Sequence, residues 1–232
     1  MATVYLYFLV SIAFFYLFIY FVHLYKKNRN KDVFYYALTF LFIFLMCFFN
    51  SVPLLATNNL QLAAYGNVIS NLFLFFLIYT CFKVQLIATD KFLKNNVNSL
   101  NIILLVIAII SIGFQLIYLN IPTISVLGII WNLNSITSIL LTLTTFIYGI
   151  YWGVIFGEIA SILRDPFLKR RMYMVSTNGI LLGISGLFLF QNNVNYSILG
   201  ISLLFLTGIA SSIVFSIPEH SKKSTKNDLA SI

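Results

Sequence analysis

A serine between glycines, in Gly183-Ile184-Ser185-Gly186, and two cysteines, Cys47 and Cys81, are the residues of this chain best suited by type to act as nucleophiles. A serine attacks an acyl carbon only when a base takes its proton, and that base is commonly a histidine. The two histidines are His23 and His220, and neither falls at a depth in an apolar stretch from which it would serve Ser185. Ser185 therefore reads as a small packing residue. The cysteines lie toward opposite ends of two different apolar stretches, so a disulfide, which needs Cα atoms within about 7 Å, is not expected. No cluster of His, Cys, Asp and Glu has metal-ligand spacing, and no phosphate-binding loop of the Walker type is present. The expectation is a non-catalytic protein without a metal or cofactor.

Uncharged polar residues inside apolar stretches are the stronger signal, because an amide in lipid must find a partner or water. Asn67, Ser70 and Asn71 are spaced i, i+3 and i+4, which puts them on one helical face, and Asn134 and Ser138 share another. Asn132 and Asn178 extend the set. Together these residues are expected either to bond between helices or to line a polar, uncharged passage built by the third, fifth and sixth apolar stretches. Such a lining suits a neutral solute or a passing polymer better than a coupled ion.

The elements that would carry these residues are membrane spans. Of 232 residues, 60% are hydrophobic and 9% charged, which is too little charge to cover a soluble core. A bilayer core about 30 Å thick needs roughly 20 helical residues per crossing. Seven stretches qualify, near 3–24, 33–50, 62–82, 100–119, 127–156, 173–190 and 196–217. The reading is an all-α polytopic helical bundle of seven spans over residues 1–217, followed by a short, polar, disordered cytoplasmic tail at 218–232. The first stretch lacks a positive start and a cleavage site, and reads as a retained span. Breaker signals mark the connections: Asn50-Ser51-Val52-Pro53, Asn58-Asn59, Asn120-Ile121-Pro122, Asp165-Pro166 and Gln191-Asn192-Asn193. All four prolines fall outside the proposed spans. Gly149, Gly153 and Gly157 form a smooth stripe on the fifth span, and Gly179 and Gly183 repeat the spacing on the sixth, so the two helices are expected to pack closely.

Charge sets the orientation, since Lys and Arg near span ends are retained in the cytoplasm. The first connection holds Lys26, Lys27, Arg29 and Lys31, the third holds Lys83, Lys91 and Lys94, the fifth (157–172) holds Arg164, Lys169, Arg170 and Arg171, and the tail holds Lys222, Lys223 and Lys226. These are all fourteen basic residues, and the six acids sit in the same segments. The N-terminus is therefore expected outside and the C-terminus in the cytoplasm. Anionic lipid heads explain the basic residues adequately, with a nucleic-acid contact at the inner face as the sharper alternative. No lysine in the seventh span is placed for a retinal Schiff base, and no intramembrane carboxylate is placed for proton coupling.

In topology alone, a three-plus-one-plus-three arrangement resembles the sugar carriers of the SWEET class, whose proline-bearing motifs have no counterpart in these spans. The expected function is a component of a transport or translocation assembly in the cell membrane. It would act with other membrane subunits and a separate ATPase, and a polymer such as DNA is among the candidate cargoes. The alternative is a small seven-span sensor signalling to a cytoplasmic partner through the connection at 157–172.

Overall fold

The computed structural model of the protein describes residues 2–92 and 99–216. Their seven helices are α1 (Ala2–Asn28), α2 (Lys31–Thr57), α3 (Leu60–Phe92), α4 (Ser99–Ile117), α5 (Ser135–Ile162), α6 (Pro166–Leu189) and α7 (Val194–Ser216). Six are long and apolar enough to cross a membrane, while the apolar stretch described in α4, Ile103–Ile117, is shorter. Each helix packs on the next in sequence, and α1 meets α7, which closes a ring. Large apolar side chains point outward from it: Tyr5, Leu9, Ile12, Tyr16 and Ile19 form a stripe along α1, and Ile103, Leu105, Val106 and Ile109 cover α4. That much exposed apolar surface is typical of a protein solvated by lipid, so the chain is a helical membrane protein. The tail expected at 218–232 lies outside the described residues.

Asparagines and one aspartate set the helix starts. Asn59 Oδ1 accepts from the N–H groups of Gln61 (2.9 Å) and Leu62 (3.2 Å), and Asn134 Oδ1 accepts from Ile136 N (2.9 Å). Asp165 accepts from Phe167 N at 2.8 Å with Pro166 opening α6 behind it, and Asn193 accepts from Asn195 N at 2.9 Å. These short polar acceptors satisfy N–H groups that have no partner within the helix. Arg29 and Asn58 close α1 and α2 with φ of 52° and 51°.

The turn expected at Asn50-Ser51-Val52-Pro53 does not form, and Pro53 lies inside α2. The ring of Pro53 removes the N–H that would bond the Phe49 carbonyl. Gly66 of α3 fills the gap: a Cβ there would stand 2.6 Å from Phe49 O and 2.9 Å from Pro53 Cγ. Helix α2 therefore runs seven residues past the expected end.

The fifth helix also begins later than expected, at Ser135. Residues 118–134 form a cap instead, with a two-stranded antiparallel hairpin, β1 (Thr123–Ile124) and β2 (Ile129–Ile130). Buried Ile129, Trp131 and Leu133 alternate with less buried Ile130 and Asn132, which is the period of an extended chain. The hairpin marks one end of the ring, and the basic loops mark the other.

Two further boundaries shift. Helix α3 runs to Phe92, so Lys83 lies within a helix and carries its ammonium 5.2 Å from the ring centroid of Tyr79. Helix α6 starts at Pro166, so the expected connection at 157–172 shrinks to 163–165, with Lys169, Arg170 and Arg171 in the first turns of α6. The cause is the Asp165-Pro166 cap, which starts a helix as well as ending a loop.

Candidate functional site

Four buried amides meet at the hairpin end, on α2, α3 and α4. Asn67 is their hub: its Nδ2 donates to Asn50 Oδ1 at 2.9 Å, and its Oδ1 accepts from Gln115 Nε2 at 2.8 Å and Asn71 Nδ2 at 3.3 Å. Asn71 Nδ2 also donates to Gln115 Oε1 at 3.0 Å. Asn50 Nδ2 donates to Ser70 Oγ at 2.7 Å, and that hydroxyl donates to the Met46 carbonyl at 2.9 Å. The i, i+3, i+4 face of α3 is thus satisfied by its two neighbours in the ring. The sequence alone places Asn50 in a turn and gives Gln115 no role. The signal for Gln115 was a long amide in an otherwise apolar stretch.

The cap closes over this cluster. Trp131 is buried edge-on against Tyr7, with ring centroids 6.5 Å apart. Two voids of about 10 Å³ each flank the amides, one against Gln115, Asn120 and Asn134, the other against Tyr7, Asn50 and Asn71. Asn67, Trp131 and Leu133 border both. Each void is on the scale of a single water molecule. Asn192, from the α6–α7 turn, clamps the cap at two points, accepting from Leu133 N and donating to Leu133 O, both at 2.8 Å. Thr3 Oγ1 accepts from Ile129 N at 2.9 Å. Asn120 donates to Asn132 O at 2.8 Å and Asn132 to Ile121 O at 2.9 Å. Replacing Asn192 by alanine removes both bonds of the clamp. Hydrogen exchange read by mass spectrometry is expected to quicken about tenfold in the peptide containing Leu133, with α5 and α6 unchanged. An unchanged rate would show that the cap is held by its apolar side chains alone.

A larger cleft of about 70 Å³ opens in the half of the ring nearer the basic end. Six helices line it, all but α4. Its polar groups include Thr39, whose Oγ1 donates to Tyr35 O at 2.9 Å, and Asn178, whose Nδ2 donates to Ser211 Oγ at 3.2 Å.

Of the residues expected to line one passage, Asn67, Ser70, Asn71, Asn132 and Asn134 border the two small voids, while Ser138 and Asn178 lie elsewhere. Asn67, Ser70 and Asn71 belong to the amide cluster. Asn132 belongs to the cap, Asn134 caps α5, and Ser138 ties α5 to α6 by donating to Phe190 O at 2.6 Å. Asn178 faces the separate cleft. A single lining by the third, fifth and sixth helices is not formed, because the polar face of α3 turns toward α2 and α4.

The glycines do pack α5 against α6. A Cβ on Gly183 would meet Gly149 Cα and Phe146 O at 3.1 Å, and one on Gly149 would strike the Gly183 backbone. Gly179 lies under Trp152, and Gly153 takes Ser176 Oγ on its carbonyl at 2.5 Å. Gly157, at the end of the stripe, would meet Ser176 Oγ at an ordinary 3.5 Å. Ser185 is buried and donates to Leu182 O at 2.7 Å, and Cys47 and Cys81 are buried free thiols.

Lys26, Lys27, Arg29, Lys31, Arg164 and Arg170 are exposed at the basic end, and Lys169 and Arg171 are half-buried there. The Arg29 guanidinium carbon lies 5.9 Å from the ring centroid of Tyr25. Among the described residues no group of His, Cys, Asp and Glu is placed to hold a metal ion. Comparison with protein-family models, curated proteins and solved structures finds no match for this chain.

Proposed function

We propose that this chain is a non-catalytic subunit of a transport or translocation assembly in the cell membrane. It crosses the bilayer seven times, with the N-terminus outside, the C-terminus in the cytoplasm and a separate ATPase as motor. Retention of basic residues in the cytoplasm supports the orientation, since the hairpin end carries no charged residue among those described. Helix α4 is counted as the seventh span because the Asn67–Gln115 pair sets it beside α3.

The observation that carries the reading is the buried amide cluster beneath a clamped cap. Its groups are neutral and directional, which suits an uncharged polar solute. A polymer is too wide for voids of about 10 Å³ and a cleft of about 70 Å³, so polymer passage would run between chains. The basic end then faces anionic lipid heads or nucleic acid.

Affinity purification of the tagged chain from its native membrane in mild detergent, followed by mass spectrometry, tests the assembly. Recovery of an ATPase with other small membrane subunits is expected. Recovery of a kinase or transducer without a motor would overturn the proposal in favour of the sensor. Once a cargo is assigned, Asn71→Ala is expected to lower transport severalfold at unchanged membrane abundance. Abundance falling in step with transport would mark Asn71 as a packing residue.

A further inference from the structure

The cleft nearer the basic end carries an inference that does not rest on the transport reading. We propose that it binds a small uncharged molecule with a short apolar body and one hydrogen-bonding end, the chemistry of a short-chain alcohol. Phe14, Phe40, Ile43 and Leu182 give the cleft its apolar walls, while Asn178 and Ser211 form a polar corner. Pockets of this make-up, apolar with a few convergent polar groups, are the usual form of a small-molecule site.

Charge and size narrow the ligand. Among the described residues no charged side chain lines the cleft, so an ion entering it would lose its hydration without a counter-charge. Its volume of about 70 Å³ is roughly half that of the apolar cavity, about 150 Å³, known to hold benzene in another protein. The cleft therefore takes a molecule of only a few heavy atoms. Asn178 uses its Nδ2 on Ser211, and among the described residues no donor reaches its Oδ1. A ligand hydroxyl would donate there, with its alkyl part against Phe40 and Ile43.

The chain carries its own reporter for this site. Cys81 lines the cleft, and Cys47, also buried, does not. In the full chain in detergent, acrylamide, an uncharged thiol reagent no larger than the proposed ligand, is expected to modify Cys81 severalfold faster than Cys47, as read by peptide mass spectrometry. Millimolar 1-butanol is expected to slow the reaction at Cys81 severalfold and saturably, leaving Cys47 unchanged. In Asn178→Leu, which removes the polar acceptor and fills the corner, butanol protection is expected to vanish. Equal slowing of both thiols would indicate an effect on the micelle and overturn the site. Equal resistance of both thiols would overturn it too, since no path would then reach the cleft. Retained protection in Asn178→Leu would overturn the assigned polar contact.

Discussion

Gly149→Leu is expected to be the most damaging single substitution in the bundle. The stripe of α5 lets its backbone lie directly on that of α6, so a side chain at 149 enters space occupied by the Gly183 backbone. Overpacking a core costs about 1–3 kcal/mol when side chains can move aside, and this obstacle is backbone. The expected cost is about 3 kcal/mol or more, a fall of roughly 10 °C in the thermal midpoint for a chain of this size. Circular dichroism melting in detergent measures it, with Gly157→Ala as the control. A Cβ at 157 meets only Ser176 Oγ at 3.5 Å, so this variant is expected to melt close to the parent. Equal melting of both variants would show that α5 and α6 are not in backbone contact.

Asn67→Ala is expected to be the second most damaging change. It deletes a hub, leaving Asn50, Asn71 and Gln115 each without a partner they now have. Interhelical hydrogen bonds in membranes average about 0.6 kcal/mol each, so losing those to Asn50 and Gln115 costs about 1 kcal/mol, to which the lost bond within α3 from Asn71 adds. A second chain separates packing from function. With Asn50, Asn67, Asn71 and Gln115 all replaced by leucine, no amide is left unsatisfied, and removing every partner together is often nearly neutral for stability. That chain is expected to regain most of the lost melting temperature yet stay inactive in transport. Full activity would refute a cargo-facing role for the cluster and leave it as a device that fixes how three helices pack.

The sequence could announce α3's polar face but not its partners. Spacing of i, i+3 and i+4 places Asn67, Ser70 and Asn71 together whatever the surroundings, because it depends only on the helical period. Which neighbour they meet depends on helix rotation, and that is decided by contacts such as Gly66 on the Phe49 carbonyl. The sequence names no bonding partner for this face, and the structure supplies Asn50 and Gln115. Likewise, the apolar run from 127 merges with α5 in a hydropathy reading, because burial in a cap and burial in lipid select the same residue types. Only the alternation of Ile129, Trp131 and Leu133 hinted at an extended segment.

The sequence by itself determined the solvent, the helical class and, among the described residues, the segregation of charge to one end. Each is a sum over many residues of transfer free energy or a simple period, and such sums survive errors at single positions. It also determined the glycine contact between α5 and α6, because a stripe of small residues constrains whatever packs on it. Only the tertiary structure decided that Pro53 continues a helix, that a clamped hairpin covers the amides, and that Asn178 belongs to a separate cleft with Cys81. Those outcomes depend on pairs of groups far apart in the chain, and the preference of one residue carries no information about which distant group will satisfy it.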